Sequence, residues 1–212
     1  MSKKIETRNG IGEIRRVDAG SRLVEGYAVV FDSWSQDLGG FREKISRTAF
    51  DGGVLENSDV FALLNHNRSR GILGRSKHGD MKSLRLEVDE KGLRYSFEAP
   101  NTALGEELLS CLDRGEIDSS SFGFTVRDGG DVWTRNGDMY ERVVTQFDQI
   151  FDVSPVYNPA YLETTCDLRG LETLKAEERA AEERQIAEQK RVKLGKYIAD
   201  LRQEINKITQ HE

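Results

Sequence analysis

The sequence predicts an α+β fold: a β-barrel core with short helices packed outside it and a helical extension at the C-terminus. Three observations carry that expectation. Between about residues 10 and 165 the apolar residues fall in short β-branched and aromatic runs separated by Gly- and Asp-rich turns, the pattern of a sheet closed on itself. Within that span, NTALGEELLSCLDRGE is the clearest stretch with helical spacing. Beyond Arg169 the composition turns abruptly to Ala, Glu, Lys, Arg and Gln. A chain of 212 residues accommodates one cored domain plus an appendage. The expected division is a flexible N-terminus over 1–10, a barrel domain over 11–168 and a helical segment over 169–212.

Taken in order, RLVEGYAVVF reads as a strand and DSWSQDLGG as its exit loop. ISRTAFDGGVLENS carries a weak helical signal closed by Gly and Asn, and DVFALLNH resumes as a strand with apolar residues on both faces. Leu84, Leu86 and Val88, the turn DEKG, then Leu93, Tyr95, Phe97 and Ala99 form a β-hairpin with one apolar face. After Pro100 comes the helix, with Asn101 or Thr102 as N-cap, Leu104, Leu108, Cys111 and Leu112 on one stripe, and Gly115 as its stop. A strand through SSSFGFTV, a Gly/Asp-rich loop from Arg127 to Asp138, and two or more strands through MYERVVTQFDQIFDVSPVY complete the barrel. In the C-terminal segment, Leu194, Ile198, Leu201, Ile205 and Ile208 alternate four and three apart, a seam two heptads long behind a nearly all-polar first half.

Composition removes several functions. No apolar run approaches the roughly 18 residues of a membrane span, and MSKKIETRNG lacks the apolar stretch of a secretory signal, so a cytoplasmic protein is expected. Cys111 and Cys166 are too few for a disulfide framework, and no His or Cys spacing suits structural zinc. Reduced thiols, no metal and no cofactor are expected. A formal net charge of −6 argues against nucleic-acid binding as the main task.

SSSFGF, residues 119 to 124, is the stretch with most chemical interest. Strand alternation puts Phe122, Phe124 and Val126 on one face, and Ser121, Gly123 and Thr125 on the other. Ser121 is then a hydroxyl on a rigid strand with a glycine beside it, although Ser and Asp clusters are also ordinary turn chemistry. A nucleophilic serine needs a base, usually histidine. Of the three histidines, His211 is in the tail and His78 in the turn-like SKHGD. His66 closes an apolar strand on the face of Ala62 and Leu64, a half-buried setting, and is also readable as a strand-end histidine. Asp148 and Asp152 could orient it. Cys111 lies on the apolar stripe of the helix and reads as core.

The order of GYAVVF, GGFREKISRTAF, DVFALLNHN, ILGR, the hairpin around DEKGLRY, RGEIDSSSFGF and FDVSPVYNPA resembles the prohead maturation proteases of tailed bacteriophages, a family related to the herpesvirus assembly proteases. The likeness runs over about residues 10 to 165. It implies a serine protease on a β-barrel wrapped by helices, with His66 of the Asn-His step as base and Ser121 as nucleophile. The family's late segment carries an acid before Val-Ser, often Glu; here it is Asp152, with Asp148 as the fallback, a second histidine (His78) as in the herpesvirus enzymes as the other alternative for the third member, and Arg75 in the shared ILGR as a support to the site.

The implied function is a serine endopeptidase that cleaves scaffold protein, or the scaffold segment of the capsid protein, and itself, inside the assembling prohead in the host cytoplasm. A homodimer or higher assembly is suggested by the herpesvirus relatives. The C-terminal helix is expected to pair with scaffold or with a second subunit. The alternative is a catalytically silent assembly module in which barrel and helix act as scaffold.

Overall fold

The computed structural model describes residues 5–77, 82–157 and 169–209. The chain divides into two units, Met1–Asp167 and Leu168–Glu212. In the first, the chain runs through β1 (Glu6–Arg16), β2 (Leu23–Val30), β3 (Phe41–Ile45), α1 (Val54–Asn57), β4 (Phe61–Ala62), β5 (Gly74–Arg75), β6 (Leu84–Val88), β7 (Gly92–Glu98), α2 (Ala103–Asp113), β8 (Ile117–Val126), β9 (Asp131–Asn136), β10 (Met139–Val144) and β11 (Phe147–Tyr157). Among the described residues these strands form an eight-stranded sheet, β5-β4-β11-β8-β1-β2-β7-β6, and a three-stranded sheet, β3-β10-β9. The ends of the larger sheet approach each other: the Arg75 amide donates to Ser83 Oγ just before β6 at 3.0 Å. A Cβ on Gly74 would stand 3.0 Å from the Ser83 carbonyl oxygen. The result is a nearly closed barrel, and the α+β architecture with a long C-terminal helix is as the sequence predicts.

Alternation explains the core. Phe122 and Phe124 of β8 stack at 4.6 Å between ring centroids, and Phe147 meets both edge-on. Val24, Leu93, Tyr95, Phe97, Ile150 and Val153 close around them, and α2 contributes Leu108, Leu109 and Cys111. Thr102 is the helix N-cap, accepting from the Gly105 amide, and Gly115 ends the segment at φ 69°.

Four local expectations change. ISRTAFDGGVLENS holds only a 3-10 turn at Arg47–Phe50 and the single turn α1, because Gly52 and Gly53 adopt left-handed φ values of 78° and 74° between them. The supposed loop from Arg127 to Asp138 contains β9, hairpinned to β10, whose Trp133 packs on Phe41 at 5.0 Å. In DVFALLNH only Phe61 and Ala62 are strand, although the Leu63 and Asn65 amides still bond to β11. β1 begins at Glu6, inside the stretch expected to be flexible, and pairs with both β2 and β8.

β1 hides from a periodicity search because its inward face is charged. Glu6 and Arg8, on the core side opposite Phe124 and Phe122, meet Glu43 of β3 and Arg142 of β10 in a buried cluster. Arg8 reaches Glu43 at 2.7 Å and Glu6 at 2.7 Å, and Arg142 reaches Glu6 at 2.6 Å and Glu43 at 2.8 Å. Arg142 also holds Asp131 of β9 at 2.7 Å. These pairs tie the two sheets together. Burial pushes the Glu6 carboxyl up, but Arg142 and Arg8 outweigh it and hold the group below its ordinary range.

α3 (Arg169–Thr209) constitutes the second unit. Its first part is polar, and Leu194, Ile198 and Leu201 are exposed. Among the described residues no helix is long and apolar enough to cross a membrane.

Arg142→Ala leaves the buried Glu6 and Glu43 carboxylates sharing the single guanidinium of Arg8, and a loss of about 3–5 kcal/mol is expected in urea unfolding at pH 7. Because the folded-state Glu6 is shifted down, its contribution is full above the unfolded value of about 4.3 and disappears as the pH falls through the folded value. The gap between variant and wild type therefore narrows below about pH 4. A gap that stays constant into acid would show that these charges do not hold the sheets.

Candidate active site

The face opposite the aromatic core is set by β8 and one irregularity in β11. Ser154 stands opposite Ser121, Val153 opposite Phe122, and Asp152 opposite Gly123; Ile150 then pairs with Phe124, leaving Phe151 as an extra residue. Without that bulge Ile150 and Asp152, two apart, would share a face. With it, Ile150 stays in the core while Asp152 turns out beside Gly123. Ser121, Gly123, Asp152 and Ser154 therefore share one face of adjacent strands.

The missing side chain of Gly123 matters directly: a Cβ there would lie 2.4 Å from Asp152 Oδ2. The acid occupies that space. Ser154 Oγ donates to Asp152 Oδ1 at 2.6 Å.

His66 arrives from the other side of β11. β4 runs parallel to β11, with Phe61 and Ala62 opposite Asp152 and Val153. Pairing persists to the Asn65 amide, which donates to the Pro155 carbonyl at 2.9 Å. The chain then bends through two consecutive left-handed residues, Asn65 at φ 55° and His66 at φ 57°. Asn and His are among the non-glycine residues that tolerate this region, at a cost of about 1–3 kcal/mol each. Asn67 completes the bend by capping the 3-10 turn Arg68–Arg70. The imidazole is thus positioned by a turn rather than by the strand face of Ala62 and Leu64 that the sequence suggests.

His66 Nδ1 lies 2.5 Å from Asp152 Oδ1, and Nε2 lies 2.5 Å from Ser121 Oγ. The carboxylate selects the tautomer with hydrogen on Nδ1, leaving the Nε2 lone pair toward the serine hydroxyl. Ser121 has no solvent exposure, while the His66 side chain is 22% exposed, so the imidazole is the wetter of the two. This chain of contacts can move a proton from a hydroxyl to an imidazole and stabilise the resulting cation.

The other candidates have different surroundings. Asp148 is exposed at a second irregularity of β11. Arg75 grips Asp59 through Nε at 2.9 Å and Nη2 at 2.5 Å and stacks over Phe61. Burial pushes the Cys111 thiol up, which disfavours a reactive thiolate. Ser119 bonds its neighbour Asp118, and Ser120 points inward to the buried Tyr95 hydroxyl at 2.7 Å. His78, His211 and Cys166 lie outside the described residues. Ser154 was missed by the sequence reading, yet period two along Asp-Val-Ser puts it on the face of Asp152.

Gly123→Ala should displace the Asp152 carboxylate. In proton NMR the His66 Nδ1 hydrogen, carried downfield by its bond to a carboxylate, is expected to shift or vanish while far-UV circular dichroism is unchanged. An unaltered resonance would show that the space over Gly123 does not position the acid.

No curated protein and no solved structure matches this chain. Residues 12–178 match the caudovirus prohead serine protease family, a span that holds all three contacting residues and enters the first turns of α3. A match over most of the 212 residues decides the relationship. The chain belongs to the caudovirus prohead serine proteases and is a serine peptidase of phage prohead maturation.

Proposed function

We propose that Ser121 is the nucleophile of this peptidase, His66 its general base and Asp152 the acid that orients the imidazole. The observation that supports this reading is the unbroken hydrogen-bonded series from Ser121 Oγ through the His66 ring to Asp152 Oδ1. As Oγ attacks a peptide carbonyl carbon, its proton passes to Nε2 and the imidazolium is stabilised by the carboxylate at Nδ1. Nε2 then gives that proton to the leaving amine. A water molecule, deprotonated at the same nitrogen, releases the acyl group and restores the hydroxyl.

The substrates on this reading are scaffold protein or the scaffold segment of the capsid protein, together with the protease itself. The reaction takes place inside the assembling prohead, in the host cytoplasm. α3 is the addressing element: its exposed Leu194, Ile198 and Leu201 suit a second helix, from scaffold or from another copy of the chain in a homodimer or higher assembly.

Incubated wild type should shorten itself, seen as fragments in intact-mass spectra. Ser121→Ala should stay whole, with a loss of about 10⁶-fold, and Asp152→Asn should be slowed about 10⁴-fold. Cleavage by Ser121→Ala equal to wild type would sink the assignment, and an inert wild type would favour a silent assembly module.

A chain ending at Arg169 is expected to fold and to cut a supplied scaffold peptide, yet to be packaged poorly into proheads. Thermal unfolding and peptide cleavage of that truncation check this. A truncated chain that fails to fold would make α3 part of the catalytic domain.

A further inference from the structure

Ser154 is not used by the mechanism above, yet it is fully buried on the face of the site, directly opposite Ser121 across β8 and β11. A buried hydroxyl is costly without a partner, and this one donates to Asp152 Oδ1 at 2.6 Å. Oδ1 is the same oxygen that His66 Nδ1 approaches at 2.5 Å. From the convergence of these two contacts on one oxygen we infer that Ser154 is a positioning residue of the peptidase, acting through Asp152 on His66. The inference rests on the triad reading above.

The need for such a residue follows from the acid itself. The terminal torsion of an aspartate is broad, so the plane of its carboxylate is not set by rotamer preference. Two features set it here. Gly123 leaves the space that Oδ2 fills, and Ser154, two residues along the same strand and so on the same face, anchors Oδ1. Ser154 also faces Ser121 in register, yet the two hydroxyls have separate partners: Ser154 donates to Asp152, and Ser121 is the hydroxyl at His66 Nε2.

The test compares Ser154→Ala with Ser120→Ala in the full-length chain. Both remove a fully buried hydroxyl from neighbouring strands, but Ser120 faces the core and bonds Tyr95. A fluorophosphonate is the probe, because it reports Ser121 reactivity by mass without a peptide substrate: Oγ bonds phosphorus, fluoride leaves and the hydroxyl proton passes to His66. Ser154→Ala is expected to lower the modification rate about ten-fold, the scale of one hydrogen bond to a charged group. It is also expected to move the downfield His66 Nδ1 resonance. Ser154→Cys, a weaker donor of similar volume, should fall between it and wild type.

Ser120→Ala should reduce the unfolding midpoint and change neither the rate nor the resonance. The inference is overturned if Ser154→Ala keeps the wild-type rate and resonance, or if Ser120→Ala moves the resonance equally. A wild type that is not modified at Ser121 would count against the nucleophile assignment, while the resonance comparison would still judge Ser154.

Discussion

One unpaired residue, Phe151, decides on which face of the sheet Asp152 stands. Antiparallel strands transmit side-chain parity until a bulge interrupts them, so Asp152 to Val156 of β11, up to the next register shift, take the face opposite to the one an uninterrupted ladder would give. Upstream, Ile150 fills the aromatic core beside Phe124. Downstream, Asp152 and Ser154 share the face of Ser121. A straight β11 could satisfy the core or the site, not both. The double left-handed step at Asn65 and His66 is the matching device on the other side, folding the imidazole back over β11 after β4 has ended.

The legibility of the sequence follows the same physics. The hairpin formed by β6 and β7 and the helix α2 were readable because one of their faces is uniformly apolar. The alternation in SFGFTV was readable for the same reason and correctly separates Ser121 from Phe122. β1 and β9 were not readable as strands: Glu6 and Arg8 point inward, and Asp131 and Trp133 join Arg142 from a stretch rich in Gly and Asp. Hydropathy scores such positions as surface, whereas here each charge has its counter-charge inside. His66 was found by residue type and context, but its turn was missed, since no glycine announces the left-handed step. Asp152 and Asp148 were both candidates from the residues, and only the family likeness put Asp152 first, because a bulge leaves no compositional mark.

The buried cluster of Glu6, Arg8, Glu43 and Arg142 joins strands that are distant in sequence. A hydrophobic patch at this junction would tolerate several registers between the sheets. Guanidinium and carboxylate groups tolerate few, since a shifted strand would leave a charge in the interior without its partner. β1 carries two of these charges and also pairs with β8 alongside Ser121, so the same strand that locks the sheets supports the serine proposed as nucleophile.

The members of the site differ in how cooperatively they are held. Ser121 and Asp152 sit on β8 and β11, long strands inside the eight-stranded sheet, whereas His66 follows β4, a two-residue strand beside the equally short end strand β5. Short segments at a sheet end open at lower free energy than the strands they flank. Fluctuation of this domain therefore disconnects the imidazole before it disturbs the serine. With the triad proposed above, the resting protein spends its briefest, cheapest excursions in a form that is folded but chemically idle, and heating should extinguish catalysis in a sub-global step ahead of the main cooperative transition.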